Sequence, residues 1–180
     1  MGRRLRPTDA FVDESIRGQR YLLGCLLIEA RHLMPVRRAV AALVPPGKRL
    51  HFHEELDSTR RQALDLFASL PVTVDIVVCP RQHGVSEFEA RDRCLATVVR
   101  RLQADAVPGL TIESRQDDRD DRRTIARARQ PEPVLVFDHV DGRREPLLWV
   151  VDAVAWAYGA GGKWAPYVSG LVRHVVEPSG

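Results

Sequence analysis

The sequence predicts an α/β fold, a mixed sheet of about five strands flanked by helices. Three observations lead there. Short apolar runs rich in β-branched residues alternate with helix-length stretches whose apolar residues recur every three or four positions. Pro and Gly separate these segments at regular intervals. The first two apolar runs are joined by Arg17-Gly18-Gln19, a turn that suits an antiparallel hairpin.

The elements follow in order. Asp9 to Ser15 reads as the first strand, with Phe11, Asp13 and Ser15 on one face and Ala10, Val12 and Glu14 on the other. Tyr21 to Ile28 is almost continuously apolar, the pattern of a strand covered on both sides. Arg31 to Val44 reads as a helix ended by Pro45-Pro46-Gly47. A short extended piece, Arg49 to His53, precedes a helix that Asp57 or Ser58 caps and Pro71 stops. Val72 to Cys79 is a β-branched strand. Ser86 with Glu89 forms a capping box, opening a helix to about Ala106. Leu110 to Ser114 is a strand, and Asp117 to Arg129 a helix with its aspartates first, as the helix dipole favours. Val134 to Phe137 is the fifth strand and Leu147 to Tyr158 an apolar helix. Gly159-Ala160-Gly161-Gly162 breaks it, and Trp164 to Val176 reads as a last helix. The 180 residues are expected to form one domain over 1–180, with 31–70 as a helical insertion after the second strand.

Composition narrows the function classes. No apolar run has the length of a membrane span, and no apolar stretch follows the basic start Met-Gly-Arg-Arg-Leu-Arg as a secretory signal would. Cys25, Cys79 and Cys94 are scattered and odd in number, which excludes a disulfide framework and fits a reducing cytoplasm. There are 27 basic and 24 acidic residues, a net charge of +3. That balance permits contact with nucleic acid, RNA or DNA, without demanding it. Nothing indicates a homo-oligomer. Walker, dinucleotide-binding and nucleophile-elbow motifs are absent.

Asp152 is the most informative residue. It is the one charge between Leu147 and Tyr158, with Leu148, Trp149, Ala155 and Trp156 as helical neighbours. A carboxylate in so apolar a helix needs an ionic partner, a metal or a path to the surface. The partner could be one of the many arginines. Asp13 and Glu14 lie where the first strand nears its turn, and alternation sends them to opposite faces. Glu113 ends an apolar strand, the place where ligands gather in open α/β sheets. Strand ends are also polar for ordinary reasons. His51, His53, Glu54 and Glu55 offer imidazole and carboxylate close together, but a lone H-x-H supplies too few ligands for structural zinc. If the extended pattern runs through residue 55, His51, His53 and Glu55 share a face. Asp117, Asp118, Asp120 and Asp121 read as a helix start. Trp149, Trp156 and Trp164, near Tyr158 and Tyr167, have the spacing of core packing and could also stack bases.

Together these residues resemble the ribonuclease H-like superfamily, in particular its poorly characterised bacterial branch. The resemblance rests on Phe-Val-Asp-Glu-Ser at 11–15, Ile-Glu-Ser-Arg at 112–115 and Leu-Leu-Trp-Val-Val-Asp-Ala at 147–153. Ile16, Trp149 and Val151 depart from the branch, which has Gly, Gln and Ala there. The resemblance implies that Asp13, Glu113 and Asp152 converge as catalytic and metal-binding residues, with Glu55 as a fourth ligand. It implies Mg²⁺ or Mn²⁺, two-metal phosphodiester hydrolysis, and substrate phosphates held by Arg115 and His53. The competing expectations are a non-catalytic binding module whose acidic site has decayed and, third, a small-molecule phosphohydrolase.

Overall fold

The computed structural model describes residues 7–82, 84–116 and 118–178. The chain runs β1 (Asp9–Arg17), β2 (Arg20–Ile28), α1 (Ala30–Ala41), a 3-10 turn (Phe52–Glu54), α2 (Asp57–Ala68), β3 (Val72–Pro80) and α3 (Glu87–Ala104). It continues with β4 (Gly109–Glu113), α4 (Asp118–Ala128), β5 (Val136–Val140), α5 (Pro146–Ala160), a second 3-10 turn (Gly162–Trp164), α6 (Ala165–Val168) and β6 (Val172–Val176). The sheet order is β5-β4-β1-β2-β3-β6. β1, β2 and β3 form an antiparallel meander, while β4 runs parallel to β1 and β5 to β4.

Alternation along the strands sorts the apolar residues into two cores. Phe11, Leu22, Leu26, Val74 and Ile76 meet α1, α2 and α5 on one face. Val12, Leu23, Cys25, Val77 and Ile112 meet α3 and α4 on the other. The segment between β2 and β3 therefore adds its helices to the α5 layer. Ser86 accepts from the Glu89 backbone while the Glu89 side chain accepts from Ser86, the capping box that starts α3.

Three expectations are corrected. The sheet has six strands, because Val172–Val176 is β6 and not the end of a helix. Helical spacing of Val168, Leu171, Val172 and Val175 is compatible with either state, and Gly170 weakens the helix by about 1 kcal/mol. The open edge of β3 decides: β6 pairs with it in parallel, and Arg173 donates to the buried Asp75 of β3 at 3.0 and 2.8 Å. Next, β5 lies at 136–140 and not 134–137, since as an edge strand it pairs through Asp138 and His139 while Val134 and Val136 face solvent. Last, the extended reading of 49–53 fails at Phe52, whose buried ring sits at the start of a 3-10 turn.

Candidate active site

Asp13 lies in the middle of β1, on the face that α5 covers. In the β1–β4 register Val12 pairs with Ile112, so the following residues, Asp13 and Glu113, stand side by side on parallel strands. Asp13 pairs with Gly24 on its other flank. A Cβ at Gly24 would lie 2.8 Å from Val151 Cγ1, so the glycine lets α5 settle directly on the sheet. Asp152 follows Val151 and lines the same cleft as Asp13. The cleft, of about 540 Å³, is also lined by Glu14, Ser15, Ile16, Arg17, Arg49, His51, His53, Arg115 and Trp156.

The three carboxylates act on one another. Burial pushes the Asp13 pKa well above the ordinary carboxylate value, and Glu113 and Asp152 add to the shift while Arg115 opposes it. Asp152 is raised too, mainly by burial; Arg49, His53 and a backbone hydrogen bond with Phe52 pull the other way. The 3-10 turn at Phe52–Glu54 thus reaches Asp152.

Two arginines stand among the carboxylates. Arg49 pairs with Glu113 and approaches Asp13 Oδ2 at 3.9 Å. Arg115 pairs with Glu14 and lies 3.3 Å from Asp13 and 3.4 Å from Glu113. Gly142, in the loop after β5, makes room for the Arg49–Glu113 pair. A Cβ there would lie 2.5 Å from Arg49 Nη1 and 2.8 Å from Glu113 Cδ. Trp149 of α5 holds this loop by donating from Nε1 to the Gly142 carbonyl at 2.6 Å. The indole that replaces a polar Gln in the resemblance therefore anchors the loop beneath the site.

The other candidates divide. His53 lines the cleft, with its Nε2 3.4 Å from Glu54. Arg115 lines it too, already engaged by carboxylates. Glu55 follows the 3-10 turn, which replaces the alternation that would have put it on the face of His51 and His53. Glu14 lines the cleft as well, but its Oε2 reaches the opposite layer, where it accepts from Arg91 at 2.7 Å. Arg91 also holds both oxygens of buried Asp121, at 2.8 and 2.7 Å.

Asp121 belongs to a second grouping. Asp118, Asp121 and His139 present ligand-type atoms within 4.8 Å of one another. His139 Nε2 lies 3.3 Å from Asp121, and Asp118 accepts from Ser114 Oγ and the Arg115 backbone at 2.7 and 2.6 Å. Its donor atoms are thus committed to Arg91, Ser114 and the chain itself. Sequence reasoning did not single out Arg49, Arg91 or His139. Arg49 and Arg91 are two among many arginines, and nothing local marks them.

Sheet order, strand directions and a lone Asp-bearing helix over the central strands now stand together. Among solved structures, the crystal structure of the ribonuclease H2 from Pyrococcus horikoshii OT3 matches at a TM-score of 0.57, covering 82% of this chain and 69% of that one. The fold is ribonuclease H-like. Identity with that enzyme is 13%, so the similarity is one of fold. No protein-family model matches the sequence, and no curated protein matches it. Within this ribonuclease H-like fold, Asp13 and Glu113 come from adjacent strands and Asp152 from the helix packed on β1 and β2.

Proposed function

We propose that the protein is a divalent-metal-dependent nuclease or phosphodiester hydrolase, acting on RNA or DNA by a two-metal mechanism. The supporting observation is that Asp13 and Asp152 line one cleft and Glu113 stands beside Asp13 on the neighbouring strand, with the pKa of Asp13 raised first by burial and then by the other two carboxylates. Their oxygens are hard donors of the kind Mg²⁺ and Mn²⁺ take. Burial and mutual repulsion disfavour the ionised forms of Asp13 and Asp152, a cost that a bound cation would offset, so the donor set fits a cation. Asp13, Glu113 and Asp152 would hold the ions. Bound there, the ions would supply an activated water and stabilise the leaving oxygen. Arg49 and Arg115 would exchange their carboxylate partners for substrate phosphates, which a guanidinium grips bidentately. His53 would contact the strand at the mouth of the cleft. One domain over 1–180 and a cytoplasmic setting, consistent with the free Cys25, Cys79 and Cys94, complete the reading. No helix among the described residues is long and apolar enough to cross a membrane.

The pairing of Arg49 and Arg115 with the carboxylates favours a second reading, a non-catalytic module in which guanidiniums have taken over the cation's role. Calorimetric titration with Mn²⁺, joined to cleavage of labelled RNA and DNA, separates the two. Binding that Asp13→Asn abolishes, together with Mn²⁺-dependent cleavage, supports the nuclease. Absence of Mn²⁺ binding leaves the module.

A further inference from the structure

The cleft contains one arginine that is not balanced. Arg17 ends β1 on the face of Asp13 and Ser15. Its Cζ lies 4.5 Å from the centroid of the Trp156 ring, and the Cζ of Arg60 lies 4.5 Å from the same centroid. Arg60 is committed to the carbonyls of Phe52 and His53 at 2.9 and 2.6 Å and to Asp57 at 3.1 Å. Arg20 donates to the Gly159 carbonyl at 3.0 Å. Arg17 has no carboxylate partner among the described residues, and its Nη2 is buried with no hydrogen-bond partner there. Its pKa is lowered by burial, then by Arg60 and Arg20. Arg49 and Arg115 in the same cleft are both paired. A half-buried guanidinium with one buried, unpartnered nitrogen beside like charges calls for an anion.

The chain also makes room for this arginine. A Cβ at Gly159 would lie 2.9 Å from Arg17 Cγ. Trp156 lies four residues beyond Asp152 on α5, about 6 Å along the axis. A stacked strand rises about 3.4 Å per nucleotide. Exposed Ile16 offers apolar surface beside it for a sugar or base.

We propose that Arg17, laid over Trp156 and Gly159, is a phosphate-binding subsite that holds a nucleic-acid strand one or two nucleotides from the Asp13–Glu113–Asp152 cluster. The subsite rests on the nuclease reading for its substrate class. It adds a residue that sets where along the strand cleavage falls, through the sugar-phosphate backbone and not the base sequence.

The test measures binding without catalysis. Anisotropy of labelled single-stranded RNA and DNA is followed in EDTA between about 50 and 200 mM salt. Arg17→Ala is expected to weaken binding about tenfold and to make the salt dependence shallower by about 0.7, the share of one phosphate contact. Gly159→Ala, which keeps the arginine but displaces it, should weaken binding in the same direction. Should Arg17→Ala not fold, Arg17→Gln keeps packing over Trp156 and carries the same readout. Unchanged affinity and salt dependence in a folded Arg17 variant would overturn the subsite and leave the nuclease reading standing. A wild-type protein that binds neither RNA nor DNA in EDTA and shows no Mn²⁺-dependent cleavage would overturn both.

Discussion

Gly24 and Val151 meet where α5 crosses the sheet: a Cβ on the glycine would stand 2.8 Å from Val151 Cγ1 and 3.5 Å from the Ala155 methyl. Gly24 is also the cross-strand partner of Asp13. One missing side chain therefore sets the height of α5 above the strand that carries Asp13, and with it the approach of Asp152.

Gly24→Val should lift α5 from β2. Overpacking of this kind costs about 1–3 kcal/mol. For a chain of this size each kcal/mol lowers the melting temperature by about 2–4 °C. Mn²⁺ binding, followed by calorimetry, should weaken in the same variant although no carboxylate is touched. A variant that melts and binds Mn²⁺ like the wild type would show that the α5–β2 spacing does not position Asp152.

Gly142→Ala tests the floor of the site. Its methyl group would press on the Arg49–Glu113 pair, at 2.5 Å from Arg49 Nη1. The expected result is a loss of about 1–3 kcal/mol in denaturant titrations and a fall in any metal-dependent cleavage. Gly142→Ser should behave alike, because the clash begins at Cβ. Wild-type stability would mean that the pair swings aside freely.

Asp152→Ala should abolish metal-dependent cleavage and leave the fold as stable as wild type, or more so, when melted in EDTA at neutral pH. Burial dominates the rise in its pKa, so the ionised carboxylate is held against its own desolvation cost. Differential scanning calorimetry reads the outcome. A melting temperature several degrees below wild type would make Asp152 a structural partner of Arg49 instead.

The pH dependence of the sheet edge follows from Asp75. Burial raises its pKa, but hydrogen bonds and charge from Arg173 and Arg101 outweigh this and leave it below the ordinary value of 3.8. A depressed carboxylate contributes stability that is present above the unfolded pKa and lost as pH falls through the folded one. Asp75→Asn should therefore cost about 1–3 kcal/mol at pH 7. The gap between variant and wild type should narrow below about pH 4. Paired urea titrations across that range check the sign. A gap that widens in acid would contradict the pairing of Asp75 with Arg173.

Local chemistry made much of this protein legible. The alternation of apolar runs and helical stripes marked α/β architecture, because strand and helix periods differ and Pro and Gly interrupt both. The capping box at Ser86 was readable because its bonds span three residues. Asp13, Glu113 and Asp152 stood out as candidates because each is a carboxylate at the end or in the middle of an apolar element.

What lay outside the sequence depends on partners distant along the chain. β6 forms because β3 offers an open edge and Asp75 a buried charge, and neither is visible from residues 164–176. The turn at Phe52 forms because its ring finds Trp156, at 5.3 Å between centroids. Arg49 reaches Glu113 across 64 residues, and Arg17 lies over Trp156 of another element. By itself the sequence determined which segments could be strands or helices and which carboxylates were out of place, since periodicity and burial preference are properties of neighbours. Only the tertiary structure decided which arginines neutralise those carboxylates and which is left over, because an ion pair depends on distance in space and leaves no periodic trace in the chain.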